Sequence, residues 1–371
     1  MKVLFFTNPY YHSDNYTPEI IQLADGFTDI GWTIEGNENY WIRQDAFLIP
    51  KADVFESKPD VVIVDFRFAY HGKPWSIKDL LKKAANGCPI VLLDRQCGQE
   101  LSPQWNRDGW YDFFDLLCVT DRTLKHPKKI KIKPWQIGVI KEVYSELVKH
   151  QHYDGDENWV LHNFRVGHSL RDLVLNKWEE GKGFNLERKI IVDSPSKVNK
   201  ELLQATGSRY NTSYFQAISQ APYFLVIGGY ISDLPVQFSS YNYKGEYVVP
   251  FHVRITRKLN SVLSKLLNND LNHKRQAILQ WDSFRFWEGI VSPTCPIGLD
   301  LEHWSVDLVE KPIEGVHYIG ITEGSGLSPV KKMEGLTREK RLEIALNGRD
   351  WFDKYYSPKA QAGRLISWLN L

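Results

Sequence analysis

The sequence predicts an α/β protein of two Rossmann-like domains. Three observations carry this. Short, wholly apolar runs recur along the chain, as at 61–65 and 89–94; segments with helical periodicity separate them; and the alternation restarts after a polar stretch near residue 150. Apolar runs spaced by helices mark a parallel sheet covered on both faces.

The elements follow in order. Residues 3–7 form a buried first strand that ends in the polar loop 8–15. A helix starts at Thr17-Pro18-Glu19, with proline at an early position and an acid in the first turn, and it sets Ile20, Leu23, Ala24 and Phe27 on one face. Residues 61–65 are the next strand, 76–85 a helix capped by Ser76, 89–94 a third strand and 116–120 a fourth. Asn8, Asp65, Arg67, Asp94, Arg95 and Asp121 collect just past the strand ends, the edge along which open parallel sheets bind ligands. The lysine-rich run 125–135 alternates with Ile130 and Ile132, which reads as an edge strand with a solvated lysine face. Contact of those lysines with an anionic acceptor, or peripherally with a membrane surface, is the sharper alternative. His150 and His152 stand in a polar linker with no further His or Cys nearby, so no metal is expected there.

The second half begins with a strand at 159–162 and a helix over 169–180, in which Arg171 reads as a solvated residue. Strands follow at 190–193 and 223–230, the latter running into the Gly228-Gly229 turn. The tract 231–260 reads as an insertion or mobile loop, 258–267 as a helix, and 337–371 as a helical tail broken at Ser357-Pro358. The expected division is a first domain over 1–150, a second over 156–348, and a terminal helix over 349–371 that packs back on the first.

Composition bounds the function. A chain of 371 residues is long for one core. Its 43% apolar and 25% charged content is that of a soluble globular protein, and a net charge of +1 makes no electrostatic case for nucleic acid. The four cysteines lack C-x-x-C spacing, which argues against a zinc ribbon or a disulfide scaffold and fits a reducing compartment. The first apolar run is too short for a signal peptide, and no run approaches the ~18 residues of a membrane span. A cytoplasmic protein is the expectation. Thr7-Asn8-Pro9-Tyr10 stands where a dinucleotide oxidoreductase would carry G-x-G-x-x-G.

The segment 282–297 is the most informative. Arg285 and Glu288 lie three apart on one helix face, with small and turn-forming residues directly after. A carboxylate there accepts hydrogen bonds from ribose hydroxyls while the guanidinium faces phosphate. The plainer reading is an i,i+3 ion pair worth a few tenths of a kcal/mol.

Three features in sequence narrow the class: Tyr214-Phe215-Gln216-Ala217-Ile218-Ser219 leading to Phe224-Leu225-Val226-Ile227-Gly228-Gly229; Arg285-Phe286-Trp287-Glu288-Gly289-Ile290 leading to Cys295-Pro296-Ile297; and the tail with Gly348-Arg349-Asp350-Trp351-Phe352 and Ser357-Pro358. Over about residues 210–365 this order resembles the donor domain of GT-B glycosyltransferases, especially exostosin-like and related bacterial or viral families. The resemblance implies two Rossmann-like domains that face each other across a cleft, and sugar transfer from a nucleotide-sugar donor to a hydroxyl of a glycan or other acceptor. It implies that Glu288 binds the ribose, that Arg285 faces the diphosphate, and that Ser292, Pro293 and Thr294 lie against the phosphates. Gly228 and Gly229 would admit the donor to the backbone, and Arg165, with Arg171, would neutralise the departing diphosphate. With no D-x-D motif, metal-independent chemistry is expected, the nucleotide-sugar being a co-substrate and no other cofactor needed. The base would lie in the first domain: Asp94 or Asp14, then His12. No second glutamate stands seven residues after Glu288, which leaves the stereochemistry open. Alternative readings are a nucleotide-sugar epimerase or another two-Rossmann nucleotide-sugar enzyme, and a non-catalytic two-lobed small-ligand binding protein.

Overall fold

A computed structural model describes residues 1–9, 16–43, 45–71, 74–95, 110–120, 131–155, 159–163, 170–171, 174–175, 185–187, 202–203, 206, 210–233, 276–279, 281–322 and 329–371. Asp14, His12 and Arg165, the lysines of 125–130, the strand expected at 190–193 and the helix expected at 258–267 lie outside those residues.

The first unit is a six-stranded parallel sheet. Its strands are β1 (Lys2–Phe6), β2 (Thr33–Gly36), β5 (Val61–Asp65), β6 (Ile90–Asp94), β7 (Leu116–Val119) and β8 (Ile132–Pro134), in the order β2-β1-β5-β6-β7-β8. Between them, β3 (Tyr40–Arg43) and β4 (Ala46–Ile49) form an antiparallel hairpin. The second unit is a five-stranded parallel sheet of β9 (Trp159–Leu161), β10 (Asn185–Glu187), β11 (Tyr223–Leu225), β14 (Cys295–Leu299) and β15 (Ile319–Ile321), in the order β10-β9-β11-β14-β15. β1, β5, β6, β7 and β14 are almost entirely buried, which is why they read as continuous apolar runs rather than as alternation.

Both sheets reverse their winding in the same way. In the first, the chain passes from β1 outward to β2, then crosses back to β5 on the other side; in the second it passes from β9 to β10, then back to β11. Each sheet therefore has a switch point, between β1 and β5 and between β9 and β11, where connections leave in opposite directions and open a crevice at the carboxyl ends.

β12 (Tyr230–Asp233) pairs antiparallel with β13 (Gln276–Leu279), so residues 231–233 belong to a strand rather than to the loop expected there. The partner strand lies some forty residues on, out of reach of any local pattern. The tail helix Arg338–Tyr355 runs unbroken through residue 349, and Ser357 caps the last helix, Pro358–Leu369, by accepting from Ala360 N. That helix lies along the Pro18–Asp29 helix of the first unit. A Cβ at Gly26 would fall on the Pro358 carbonyl, so the close approach of the two helices requires glycine. Buried amides knit this contact: Gln22 Nε2 donates to Tyr356 O at 2.9 Å and Gln361 Nε2 to Gln22 Oε1 at 2.6 Å.

The carboxyl edges of the two sheets face each other. Tyr16 of the first unit stacks on Phe284 of the second with ring centroids 5.9 Å apart, and the Arg95 guanidinium lies 5.0 Å over the same Phe284 ring. Ile137 N, in the connecting segment, donates to Asp282 Oδ2 at 2.8 Å. No helix among the described residues is long and apolar enough to cross a membrane.

Candidate functional site

The helix Phe284–Val291 enters at the carboxyl edge of the second sheet. Ser283 caps it by accepting from Phe286 N, and Gly289 lets it sit against β11, since a Cβ there would lie 2.6 Å from Val226 Cγ1. Trp287 anchors the helix from behind, stacked on Trp351 at 6.1 Å and packed on Tyr356 at 5.1 Å, while its Nε1 donates to Asp282 Oδ1.

Arg285 and Glu288 leave this helix in different directions and do not form the i,i+3 pair. Arg285 Nε donates to Asn163 O at 2.6 Å, just past the end of β9. Glu288, 6% exposed, accepts from Tyr214 OH at 2.7 Å. Tyr214 lies in the first turn of the helix Thr212–Ser219, which Asn211 caps through its side chain.

Arg171 completes this corner. It is buried, 7% exposed, and its Nε donates to Ile227 O at 3.0 Å, just past the end of β11. Burial first, and then the neighbouring Arg285 charge, lower its pKa to about 10. The two guanidiniums are thus tied to backbone carbonyls at the carboxyl ends of β9 and β11, the two strands that flank the second switch point. Gly228 and Gly229 follow Ile227 directly, and Gly229 has φ +89°, a conformation that favours glycine.

Arg171 corrects the expectation of a solvated helix residue. Sequence gives a helical arginine no mark of burial; its short distance after a strand end was the one available signal. Ser292, Pro293 and Thr294 are placed away from this corner. They join a helix to the start of β14, and a helix-to-strand loop of a parallel sheet falls at the amino edge. Ser292 Oγ donates to Gly289 O at 2.8 Å, Thr294 Oγ1 donates to Ala221 O at 2.8 Å, and Pro293 O contacts His152. Arg285, Gly228 and Gly229 lie at the carboxyl ends of β9 and β11, Glu288 is turned to Tyr214, and the 292–294 loop lies at the amino edge.

Across the cleft, the first switch point carries acids. Asp65 ends β5 and accepts from Thr17 Oγ1 at 3.0 Å and from Arg67 N at 3.0 Å; burial raises its pKa against the opposing Arg67 charge. Asp94 ends β6, one strand further out, and is buried. Glu19, in the first turn of the Pro18–Asp29 helix, is 1% exposed and sits beside Arg95 at 3.8 Å. Asp282, bridging the two units, is pushed up to about 7 by burial, against the bonds from Trp287 and Ile137. In sequence, Glu19 in a first helical turn reads as ordinary dipole compensation, and Asp282 as a residue before a cap.

Among the described residues, no group of three or more His, Cys, Asp or Glu side chains is placed to hold a metal ion.

No protein-family model matches the chain, and no curated protein matches it in sequence. Among solved structures, the fold is similar to that of a glycosyltransferase from Rickettsia africae ESF-5, with a TM-score of 0.50 and 10% identity over 100% of this chain and 97% of that one. A mutant of S. aureus TarM in complex with fondaparinux, α-GlcNAc-glycerol and UDP gives a TM-score of 0.41 at 8% identity, over 84% of this chain and 55% of that one. The glycotransferase of kitacinnamycin gives 0.35 at 10% identity, over 99% and 98%. At 10% identity the likeness is one of fold, and it rests on the first of the three. Two facing α/β units of GT-B type are the architecture.

Proposed function

We propose that this protein is a glycosyltransferase that moves a sugar from a nucleoside-diphosphate donor to a hydroxyl of a glycan or other acceptor. One observation carries the reading: Arg171 and Arg285 are held side by side at the switch point of the second sheet. Arg171 is buried and Arg285 half-buried, the Arg285 charge opposes that of Arg171, and an anion between them relieves that cost. A diphosphate carries the charge to do so, and the charge it gains on leaving the sugar is stabilised by the same pair.

In this reading residues 156–348 form the donor half and residues 1–150 the acceptor half. Glu288, oriented by Tyr214, accepts from the ribose hydroxyls. Gly228 and Gly229 let the backbone approach the phosphates, and Arg165, as the resemblance implies, adds a further cation. Guanidiniums then do the work that a divalent cation does elsewhere. The acceptor enters from the acid-lined first switch point.

The test is a thermal-shift panel of nucleoside diphosphates on the full chain. A ligand that binds only the folded state raises the melting temperature. UDP, GDP, ADP, CDP and dTDP are compared with their monophosphates. One diphosphate is expected to raise the melting temperature, and Glu288→Ala to remove that rise. No shift with any of them sinks the reading. A bound nucleotide-sugar that is isomerised with no release of nucleoside diphosphate favours an epimerase instead.

A further inference from the structure

β15 (Ile319–Ile321) ends the second sheet. It pairs in parallel with β14, and no other strand lies beyond it among the described residues. In a parallel ladder the N–H and C=O of one residue point to the same neighbour, and those of the next residue point away. Ile321 O accepts from Asp300 N at 3.1 Å, on the β14 side, so Gly320 directs both of its backbone groups outward. Such outward groups are a template on which another extended chain pairs.

Two side chains occupy that place. Gly320 N donates to Glu314 Oε1 at 3.2 Å, and Lys332 Nζ donates to Gly320 O at 2.9 Å. The same ammonium donates to the same Glu314 oxygen at 2.9 Å, which closes a ring over the strand. The two side chains come from opposite sides in sequence. Glu314 belongs to the turn before β15, where Gly315, with φ +75°, donates to Tyr318 O; Lys332 belongs to the helix Val330–Met333 after it. Gly320 leaves the room they need, since a Cβ there would fall 2.6 Å from Glu314 Cγ and 2.9 Å from Asp300 Cβ. An acceptor meets the N–H and a donor meets the C=O, as a neighbouring strand would supply them.

Stability does not account for this arrangement. The Lys332 and Glu314 side chains are 37% and 33% exposed, and an ion pair so placed contributes little. Water would satisfy both Gly320 groups equally well, but water does not exclude a second strand, whereas charged side chains over an edge do. The strand thus kept out is an identical one. Two residues that face each other in an antiparallel pair exchange both N–H···O bonds, so Gly320 of one copy offers what Gly320 of another requires, about a two-fold axis.

We propose that the outer edge of β15 is a strand-addition surface that the Glu314–Lys332 pair holds closed against a second copy of this chain. The inference is independent of the sugar-transfer reading.

The test compares the full chain with its Glu314→Ala/Lys332→Ala variant by sedimentation velocity over a range of protein concentration. Amide hydrogen exchange at Gly320, resolved by NMR, is the local readout. In dilute solution the variant is expected to exchange the Gly320 N–H about 10-fold faster than wild type, the worth of one hydrogen bond. Its melting temperature is expected to stay near the wild-type value. As concentration rises, its mass should grow beyond that of wild type, and Gly320 exchange should slow again as the second copy covers it. The exchanged pair, Glu314→Lys/Lys332→Glu, keeps the two charges but turns an ammonium to the N–H and a carboxylate to the C=O. Gly320 should then exchange as fast as in the double-alanine variant, an outcome that a merely structural ion pair would not give. Lys340→Ala/Glu343→Ala removes an exposed i,i+3 pair within one helix and should match wild type throughout. Unchanged Gly320 exchange in the double-alanine variant, slow exchange in the exchanged pair, or loss of folding in the double-alanine variant would each overturn the proposal. So would a mass equal to wild type at every concentration, or association that leaves Gly320 fast to exchange.

Discussion

Replacing Arg171 by methionine separates the cost of the guanidinium pair from its use. The folded protein lowers the pKa of Arg171 to about 10, through burial and the Arg285 charge. Relative to the unfolded chain, that shift corresponds to about 3 kcal/mol against the charged form. Methionine keeps the length and most of the packing but removes the charge. It also removes the 3.0 Å bond to Ile227 O, a loss of about 1–2 kcal/mol. The balance is a more stable apo-protein, by about 1–2 kcal/mol. The sign with pH is fixed: a base whose folded pKa lies below its unfolded one is charged in both states at neutral pH. Its penalty is constant there and falls only as pH rises above about 10. The gain should therefore be equal at pH 6 and pH 8. Nucleoside-diphosphate affinity should fall by about 10–100-fold, the worth of one charge-assisted contact to phosphate. Urea melts at the two pH values, with calorimetric titration of the diphosphate, measure both quantities. A variant that is less stable than wild type and binds the diphosphate equally well would refute the reasoning, because Arg171 would then be a structural residue.

Tyr214→Phe removes the buried donor to Glu288; the unfolding free energy from urea melts should drop by about 1–2 kcal/mol, and diphosphate affinity should weaken, whereas unchanged affinity would detach Glu288 from the donor site. Asp282 has a folded pKa of about 7, above its unfolded value, so its contribution to stability is complete below about pH 4 and is lost as pH rises towards 7. Asp282→Asn should flatten the fall of the urea midpoint between pH 5 and pH 7, and an unaltered slope would count against a buried, protonated Asp282. Gly26→Ala places a methyl group on the Pro358 carbonyl and should lower stability by about 2 kcal/mol or more, read by thermal circular dichroism; a neutral effect would mean that the terminal helix is not held against the Pro18–Asp29 helix.

The strand–helix alternation and its restart after residue 150 are legible in the one-dimensional pattern. The runs at β1, β5, β6, β7 and β14 are apolar throughout because both faces of a parallel sheet are covered, so a local pattern reports them. The order helix, loop, strand at 284–299 already assigns Ser292–Thr294 to the amino edge, away from the corner that Arg285 occupies. β2, β3 and β4 are short and mixed in polarity, and β12 is recognisable only beside β13, so their pairing was not legible. What the tertiary structure alone decided is which charged side chains lose water. Glu19 reads as an ordinary first-turn acid and Arg171 as an ordinary helix arginine, because nothing in a one-dimensional pattern records what another element places over them. Desolvation depends on elements far apart in the chain, which bring Arg95 beside Glu19 and Arg285 beside Arg171. That is why the fold is legible in periodicity, while the burial of these charges is not.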